Sequence, residues 1–225
     1  MVRFCAFIFT GILACASIPQ NVGVEPYKRF PLQFVDEAKA DSDLIALRDR
    51  VLAAVRSHDF GPVRADITPE LFKRQETRFL NIDPASSDWR WIEDALTLGG
   101  SFSTTHGAVR GRREFCAPYS YSTYPDPPPY QLSHEADPWV IVGPHVAARA
   151  LSRTDAPVLG WLSYELVPIL IAPGHFDPWA KVALPDGRSA WVRHEDIRDP
   201  ADYHACFAKV DGRWMMSDYR DRGPR

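Results

Sequence analysis

The sequence predicts an α+β protein in which an N-terminal helical region is followed by a small β-barrel and a closing β-hairpin. Apolar residues recur at helical spacing through the first half of the chain. Short β-branched and aromatic runs, separated by turn residues, fill most of the second half, and an Asp-Gly pair lies between two apolar runs near the end. A length of 225 residues suits two small domains.

The composition is that of a folded protein without an electrostatic signature for nucleic acid. Hydrophobic residues make up 45% of the chain and charged residues 24%, which is ordinary for a packed domain. The 26 basic and 29 acidic side chains give a net charge of -3. Because duplex binding relies on clustered Lys and Arg that neutralise phosphates, we do not expect a nucleic acid partner.

The first residues have the pattern of a signal peptide. One positive charge, at Arg3, precedes an apolar run from Phe4 to Leu13. A helix needs about 20 apolar residues to cross a bilayer, so this run is too short to span one. We therefore expect residues 1–16 to be removed on export and the mature protein to be periplasmic, with no transmembrane span.

Two processing routes remain open at the end of this leader. Ala14-Cys15-Ala16 supplies the small residues that ordinary signal peptidase requires. The segment Ile12-Leu13-Ala14-Cys15 instead resembles a bacterial lipobox, in which Cys15 would be lipidated and would anchor the protein. We favour simple secretion, because Leu13 is bulky at a position where lipoboxes have a small residue.

Both routes leave Cys116 and Cys206 as the only cysteines with free thiols. Thiols that lie close together are oxidised in an exported protein, so one hypothesis is a disulfide between these two residues. It requires Phe115-Cys116-Ala117 and Ala205-Cys206-Phe207 to run beside each other, as paired strands of one sheet. The bond would tie the strand after the barrel to the N-terminal domain. The alternative is two separately buried thiols.

Residues 17–41 are mixed and punctuated by proline, which predicts a linker. The next segment has apolar residues at helical spacing, with Asp41 or Ser42 available as a cap, and predicts a helix over Ser42–Ser57. The apolar positions are Leu44, Leu47, Val51 and Val55.

Two further helices complete a mixed N-terminal domain over residues 42–135. Thr68 caps the first of them and Pro69 occupies its first turn, so we expect it to run to about Leu80. The last carries Trp89, Ile92 and Leu96 on one side and stops at Gly99-Gly100, where glycine accepts the left-handed conformation of a helix end.

The segment over residues 138–200 predicts a small barrel of five or six strands. Asp186-Gly187 predicts a hairpin turn between its last two strands, because Gly accepts positive φ at no steric cost. Asp211-Gly212 predicts a second hairpin over residues 201–219. The predicted strands are Val140-Ile141-Val142, Val146 to Ala150, Val158 to Leu162, Leu166 to Ile171, Trp179 to Ala183 and Ala190 to Arg193.

The barrel segment resembles a bacterial SH3 (SH3b) domain in four motifs that occur in the family's order. Val146-Ala147-Ala148-Arg149-Ala150 is similar to the opening strand of the family, and Asp155-Ala156-Pro157-Val158-Leu159-Gly160 to the segment that enters its second strand. Trp179-Ala180-Lys181-Val182 resembles a Trp-x-Lys-Val strand, and the segment from Asp186 to Val192 resembles the hairpin that follows it. The resemblance implies recognition of cell-wall material or peptides in general terms.

The flanks resemble those of a group of proteobacterial SH3-domain-containing exported proteins to which no activity is assigned. The likeness lies in Leu98-Gly99-Gly100-Ser101-Phe102, in Phe115-Cys116-Ala117-Pro118-Tyr119 and in the closing segment from Asp202 to Trp214. The barrel departs from the SH3b pattern at Ala147, Ser152 and Ala190, where Asn, Pro and Gly are usual.

Aromatic residues in or beside the barrel strands are the candidate binding residues. An exposed aromatic side chain buries much apolar surface at little entropic cost, and its N-H or O-H remains available to a ligand. We therefore expect Trp161, Tyr164 and Trp191 to contact a peptide or glycan, and we expect Trp179 to be buried in the core.

No catalytic residue, metal site or cofactor is predicted. The segment His194-Glu195-Asp196-Ile197-Arg198 lacks the second imidazole of a helical zinc site, and neighbouring carboxylates such as Glu93 and Asp94 do not face each other on a helix. The sequence thus favours a non-catalytic cell-envelope protein that binds cell-wall material or a protein or peptide partner. The alternative is an enzyme or enzyme accessory with residues 40–135 as its active domain and the barrel as a targeting module.

Overall fold

The computed structural model describes residues 25–74, 82–86, 88–104, 112–125, 128–129, 138–173, 177–200 and 203–220. The predicted leader with Cys15 lies outside these ranges, as do residues 130–137, where the predicted N-terminal domain ends. Helices and antiparallel sheets both occur, so the α+β class is confirmed at this level.

The helices begin where the sequence offers side-chain caps. Asp41 Oδ1 accepts hydrogen bonds from the backbone amides of Asp43 and Leu44, at 3.1 and 3.2 Å. Thr68 Oγ1 accepts one from the amide of Leu71, at 3.3 Å. The helices are α1 (Ser42–Arg56), α2 (described over residues 69–74), α3 (Asp88–Thr97) and α4 (Tyr119–Ser122), with 3-10 turns over Glu37–Ala40, Gly61–Asp66 and His194–Asp196. The predicted end of α2 near Leu80 lies outside the described residues.

The strands of the described residues form three antiparallel sheets, in the orders β13-β12-β3-β2, β6-β5-β10-β9-β8 and β1-β7-β4-β11. Their bounds are β1 (Phe30–Pro31), β2 (Ser101–Ser103), β3 (Glu114–Ala117), β4 (Trp139–Ile141), β5 (Val146–Arg149), β6 (Val158–Leu162), β7 (Glu165–Val167), β8 (Ile169–Ile171), β9 (Trp179–Ala183), β10 (Ser189–Arg193), β11 (Ile197–Arg198), β12 (His204–Val210) and β13 (Arg213–Arg220). The predicted strand Leu166 to Ile171 is divided at Pro168 into β7 and β8.

The first unit consists of α1 to α4 and the sheet β13-β12-β3-β2. Its strands alternate, so that Phe115 and Phe207 join the apolar core while Cys116 and Cys206 point to the opposite face. Leu44, Leu47 and Val51 of α1 and Trp89, Ile92 and Leu96 of α3 supply the helical side of this core. The C-terminal hairpin is therefore part of the core of the first unit.

The β-unit consists of the five-stranded sheet and of strands β4, β7 and β11, which together enclose one apolar interior. Ala180 and Val182 of β9 and Ala190 and Val192 of β10 point into it, together with Ala148 and Leu162 from the neighbouring strands. The predicted turn at Asp186-Gly187 joins β9 to β10, and Gly187 has a φ of 84°. Trp179 is 7% exposed and is buried, as predicted.

Residues 25–41, predicted as a linker, pack against both units instead. Phe30 and Pro31 of β1 pair with β7 at the edge of the β-unit, and the Tyr27 hydroxyl donates to the carbonyl of Ala183 at 3.0 Å. Further along, the amide of Gly100 donates to the carbonyl of Val35 at 3.0 Å. The linker prediction rested on the prolines and did not consider the apolar side chains of Tyr27 and Leu32. Both side chains are buried, and their burial offsets the conformational entropy that the segment loses when it becomes ordered.

Within the described part of the chain, no helix has the length and apolar character that crossing a bilayer demands.

The two cysteines pair as the disulfide hypothesis requires. Cys116 and Cys206 lie directly opposite each other on β3 and β12, and their Sγ atoms are 2.06 Å apart. Their Cα atoms are 4.1 Å apart. This is slightly closer than the Cα separation of about 4.4 to 6.8 Å that is usual for disulfides, because the two residues face each other across paired strands. The bond joins positions separated by 90 residues, and the β-unit lies between them.

Replacing both cysteines by alanine will lower the free energy of unfolding by about 3 to 5 kcal/mol, because the unfolded chain loses a long closed loop. Urea unfolding of the oxidised wild type and of the double variant, under identical conditions, measures the difference. A loss below about 1 kcal/mol, or two titratable thiols in the folded protein, would contradict the bridge.

A glycine pair tests the docking of the lead-in segment. Gly99 has a φ of +67°, and a Cβ at this position would collide with the backbone carbonyl oxygen of Val35. Gly212 has a φ of +81° with nothing within 4 Å, so an alanine there meets backbone strain alone, about 1 kcal/mol. We expect Gly99→Ala to lower the unfolding free energy clearly more than Gly212→Ala, as measured by urea unfolding. Equal losses would contradict close packing at Val35.

Candidate ligand-binding face

Two of the three predicted binding residues lie on one face of the five-stranded sheet. Trp161 on β6 stands opposite Ala147, and Trp191 on β10 stands opposite Arg149. Ala147 and Arg149 are two residues apart on β5, so all four side chains leave the sheet on the side away from the interior. Trp161 is 53% exposed and Trp191 is half-buried.

A row of cross-strand neighbours runs through Trp191 over all five strands of this sheet. Arg149 pairs with Val158 on one side and with Trp191 on the other, and Lys181 pairs with Trp191 and with Ile171. The pairing shifts register beside Arg149 and again beside Ile171, so both ends of the row lie next to irregular pairing. We call this set, in the order Val158, Arg149, Trp191, Lys181 and Ile171, the outer row. Its two ends are exposed and apolar, its centre is aromatic, and a cation lies on each side of the centre.

Contacts within the β-unit place the two cations of the outer row. The Lys181 ammonium lies 5.9 Å from the centre of the Trp191 ring, within the range of a cation–π contact. The Arg149 guanidinium donates one hydrogen bond to the carbonyl of Ala156, at 2.9 Å. A guanidinium carries five N-H donors. One of those of Arg149 is bound to the Ala156 carbonyl, and the others can donate hydrogen bonds to a ligand.

The strand that carries Trp161 is closed along its outer edge. The carbonyl of Trp161 accepts a hydrogen bond from Arg29 at 3.1 Å, and the carbonyl of Leu159 accepts one from Arg188 at 3.0 Å. Such side-chain caps block the addition of another strand. A ligand at this end of the sheet is therefore expected to contact the face rather than the edge.

Tyr164 is not part of this face. It lies in the turn between β6 and β7 with a φ of 42°, and its ring packs beside those of Phe34 and Tyr119, at 5.8 and 6.1 Å between centroids. Tyr119 is fully buried and belongs to the first unit. Tyr164 therefore joins the two units and is not positioned beside Trp161 or Trp191.

A buried carboxylate lies beneath the lead-in segment. Glu165 Oε1 forms an ion pair with Arg29 at 2.8 Å and accepts a hydrogen bond from the amide of Ser163, whereas Oε2 is buried without a hydrogen-bond partner in the described structure. Burial raises the pKa of Glu165, and the amide of Ser163 and the charge of Arg29 oppose this rise.

Burial also raises the pKa values of two other carboxyl groups, Asp94 and Asp196. Burial raises the pKa of Asp94, and the charges of Arg198 and Arg90 oppose part of this rise. Burial and the charge of Glu195 both raise the pKa of Asp196. The two groups thus have different charged neighbours. Glu93, adjacent to Asp94, pairs with Arg56 at 2.7 Å.

The side chains of Glu114, Cys116 and Cys206 come together at metal-ligand distances, but their ligand atoms are already engaged. The two sulfurs are at bonding distance, and Glu114 accepts hydrogen bonds from Arg112 at 2.6 Å and from Ser217 at 3.2 Å. A disulfide sulfur is not the thiolate that binds metal ions. We interpret this cluster as structural.

Sequence reasoning missed the cations of the outer row. Lys181 and Arg149 stand in two of the motifs that resemble the SH3b pattern, yet nothing local places them beside Trp191. Alternation along each strand is readable in the sequence, since Ala180 and Val182 flank Lys181. The strand order β5-β10-β9 is what makes these residues neighbours.

Comparison with family models, curated proteins and solved structures found no match to the chain.

The pH dependence of stability tests the buried state of Glu165. Since its pKa is raised by folding, the folded chain holds this proton more tightly, and stability declines as pH rises from the ordinary glutamate range through the raised value. Glu165→Gln will flatten this decline and make the protein about 1 kcal/mol more stable at pH 7, because the carboxylate charge is buried and its Oε2 atom has no hydrogen-bond partner in the described structure. Urea unfolding from pH 4 to 8 measures both effects. The control Asp155→Asn, at an exposed ion pair, will leave the profile unchanged. Parallel profiles for wild type and Glu165→Gln would contradict the assignment.

Proposed function

We propose that this is a non-catalytic cell-envelope protein whose β-unit is an SH3-like module that binds cell-wall material or a peptide partner. The ligand is bound on the side of the five-stranded sheet that carries Trp161 and Trp191, which we call the outer face. The observation that carries the proposal is the presence of Trp161 and Trp191 on one exposed face of the five-stranded sheet. Isolated exposed apolar residues are normal, but aromatic side chains grouped on one sheet face are typical of a ligand surface.

Two features support an SH3-like barrel. Five short strands form one antiparallel sheet, β4, β7 and β11 form another with β1, and the two share an apolar interior. The segment that resembles the Trp-x-Lys-Val strand and its hairpin forms β9 and β10, with Asp186-Gly187 at the turn. The motif likeness and the strand arrangement thus favour the same fold.

Export is the second part of the proposal. The paired cysteines fit an oxidising compartment, in which structural disulfides persist. The leader pattern of residues 1–16 points the same way, and both processing routes, with free or lipid-anchored Cys15, remain compatible with it. In either form, the chain would join the β-unit to the first unit both before β4 and after β11. The outer face of the β-unit would remain available to a partner.

Alanine variants of the two tryptophans test the binding face. Binding of the mature protein to purified peptidoglycan will fall by about tenfold or more in a Trp161→Ala/Trp191→Ala double variant, since buried aromatic anchors dominate interface energies. Co-sedimentation over a concentration series measures the bound fraction. Leu151→Ala is the control, because it removes another exposed apolar side chain, 54% exposed, that lies beyond the end of β5. Unchanged binding of a correctly folded double variant would show that the outer face is not the site.

A further inference from the structure

The two cations of the outer row, which are half-buried, differ in their partners from the exposed cations of the β-unit. Arg153, Arg188 and Arg193 each form an ion pair with a nearby carboxylate, Asp155, Asp186 and Glu195, at 2.6 to 2.9 Å. Within the described residues, neither Lys181 nor Arg149 has a carboxylate partner. The β-unit thus neutralises its cations elsewhere and leaves two charges uncompensated beside Trp191.

The spacing of these charges limits the ligand. Arg149 and Lys181 stand opposite Trp191 from either side, and neighbouring strands are about 4.8 Å apart, so the two side chains leave the sheet about 10 Å apart. In an extended chain with three residues per turn and a rise of about 3.1 Å per residue, positions i and i+3 lie on one side about 9 Å apart. Two acidic residues separated by two others therefore match the two cations.

Trp191 and the ends of the row suit the rest of such a chain. The indole lies between the two cations and can contact the residues that separate the acidic pair, while Val158 and Ile171, 39% and 48% exposed, offer apolar contacts beyond them. The row crosses five strands, about 19 Å, which corresponds to about six residues of an extended peptide. A neutral glycan would leave both charges without a partner.

We infer that the outer row binds an extended acidic peptide with two carboxylates three positions apart, one held by Arg149 and the other by Lys181. This inference rests on the proposed function for the location of the binding face, and it adds the chemical class of the ligand and the residues that select it.

The test uses the full mature protein and three labelled hexapeptides in a fluorescence anisotropy titration at low salt. The first peptide is Pro-Glu-Pro-Pro-Glu-Pro, the second replaces both Glu by Gln, and the third, Pro-Pro-Glu-Glu-Pro-Pro, keeps the charge but places the carboxylates side by side. We expect the first to bind at least tenfold more tightly than the second and at least threefold more tightly than the third, and its binding to weaken as salt is raised.

Charge-removing variants assign the contacts. Lys181→Gln and Arg149→Gln will each weaken binding of the first peptide by about fivefold, the size expected for an exposed ion pair, and Arg153→Gln will have no effect. Circular dichroism and urea unfolding establish that each variant folds as the wild type does.

The outcomes separate this inference from the proposed function. Equal affinity for all three peptides, or unchanged affinity in both charge variants, would overturn the acidic-peptide assignment. Loss of peptidoglycan binding in the tryptophan variants would then still uphold the binding face. If peptidoglycan stripped of its stem peptides by an amidase binds as well as the intact polymer, the ligand is a glycan and the inference is wrong.

Discussion

The pairing of β3 with β12 is the constraint on which the rest of the structure depends. It returns the chain, after the whole β-unit, to the sheet of the first unit, and the Cys116–Cys206 bond fixes that register. Without β12 and β13, the helices α1 and α3 would lose the apolar surface formed by Phe207 and Met216. Because the pairing is long-range, its cost in loop entropy is high, and a covalent link removes most of that cost from folding in the oxidised protein.

The two units use their surfaces differently. The interior of the β-unit is filled by its own side chains, and its edge at β7 is occupied by the lead-in segment through β1. Aromatic packing of Tyr119 against Tyr164 holds the units together on that side. The face that carries Trp191 takes part in neither of these two contacts, and its two cations have no carboxylate partner among the described residues, which is the basis of the proposed binding role.

Much of the local structure was predictable because it depends on short-range chemistry. Asp41 and Thr68 mark helix starts since their side chains accept amide hydrogen bonds, and Asp186-Gly187 marks a turn since glycine tolerates positive φ. The lead-in segment was not predictable in the same way, because a two-residue strand gains its stability from its partner β7 rather than from its own sequence. The position of Tyr164 was not predictable for a similar reason, since its ring contacts Phe34 and Tyr119, which are far away in the sequence.

The sequence by itself determined the α+β class, the positions of most elements and the pair of cysteines that can join them, because periodicity, capping and turn chemistry act over a few residues. It also singled out Trp161 and Trp191, since aromatic residues in short strands are conspicuous. Only the tertiary structure decided that Lys181 and Arg149 flank Trp191, and that Tyr164 does not. Alternation shows which side of its own strand a residue occupies, whereas the order of strands and the surface covered by another unit arise from contacts between segments far apart in the chain.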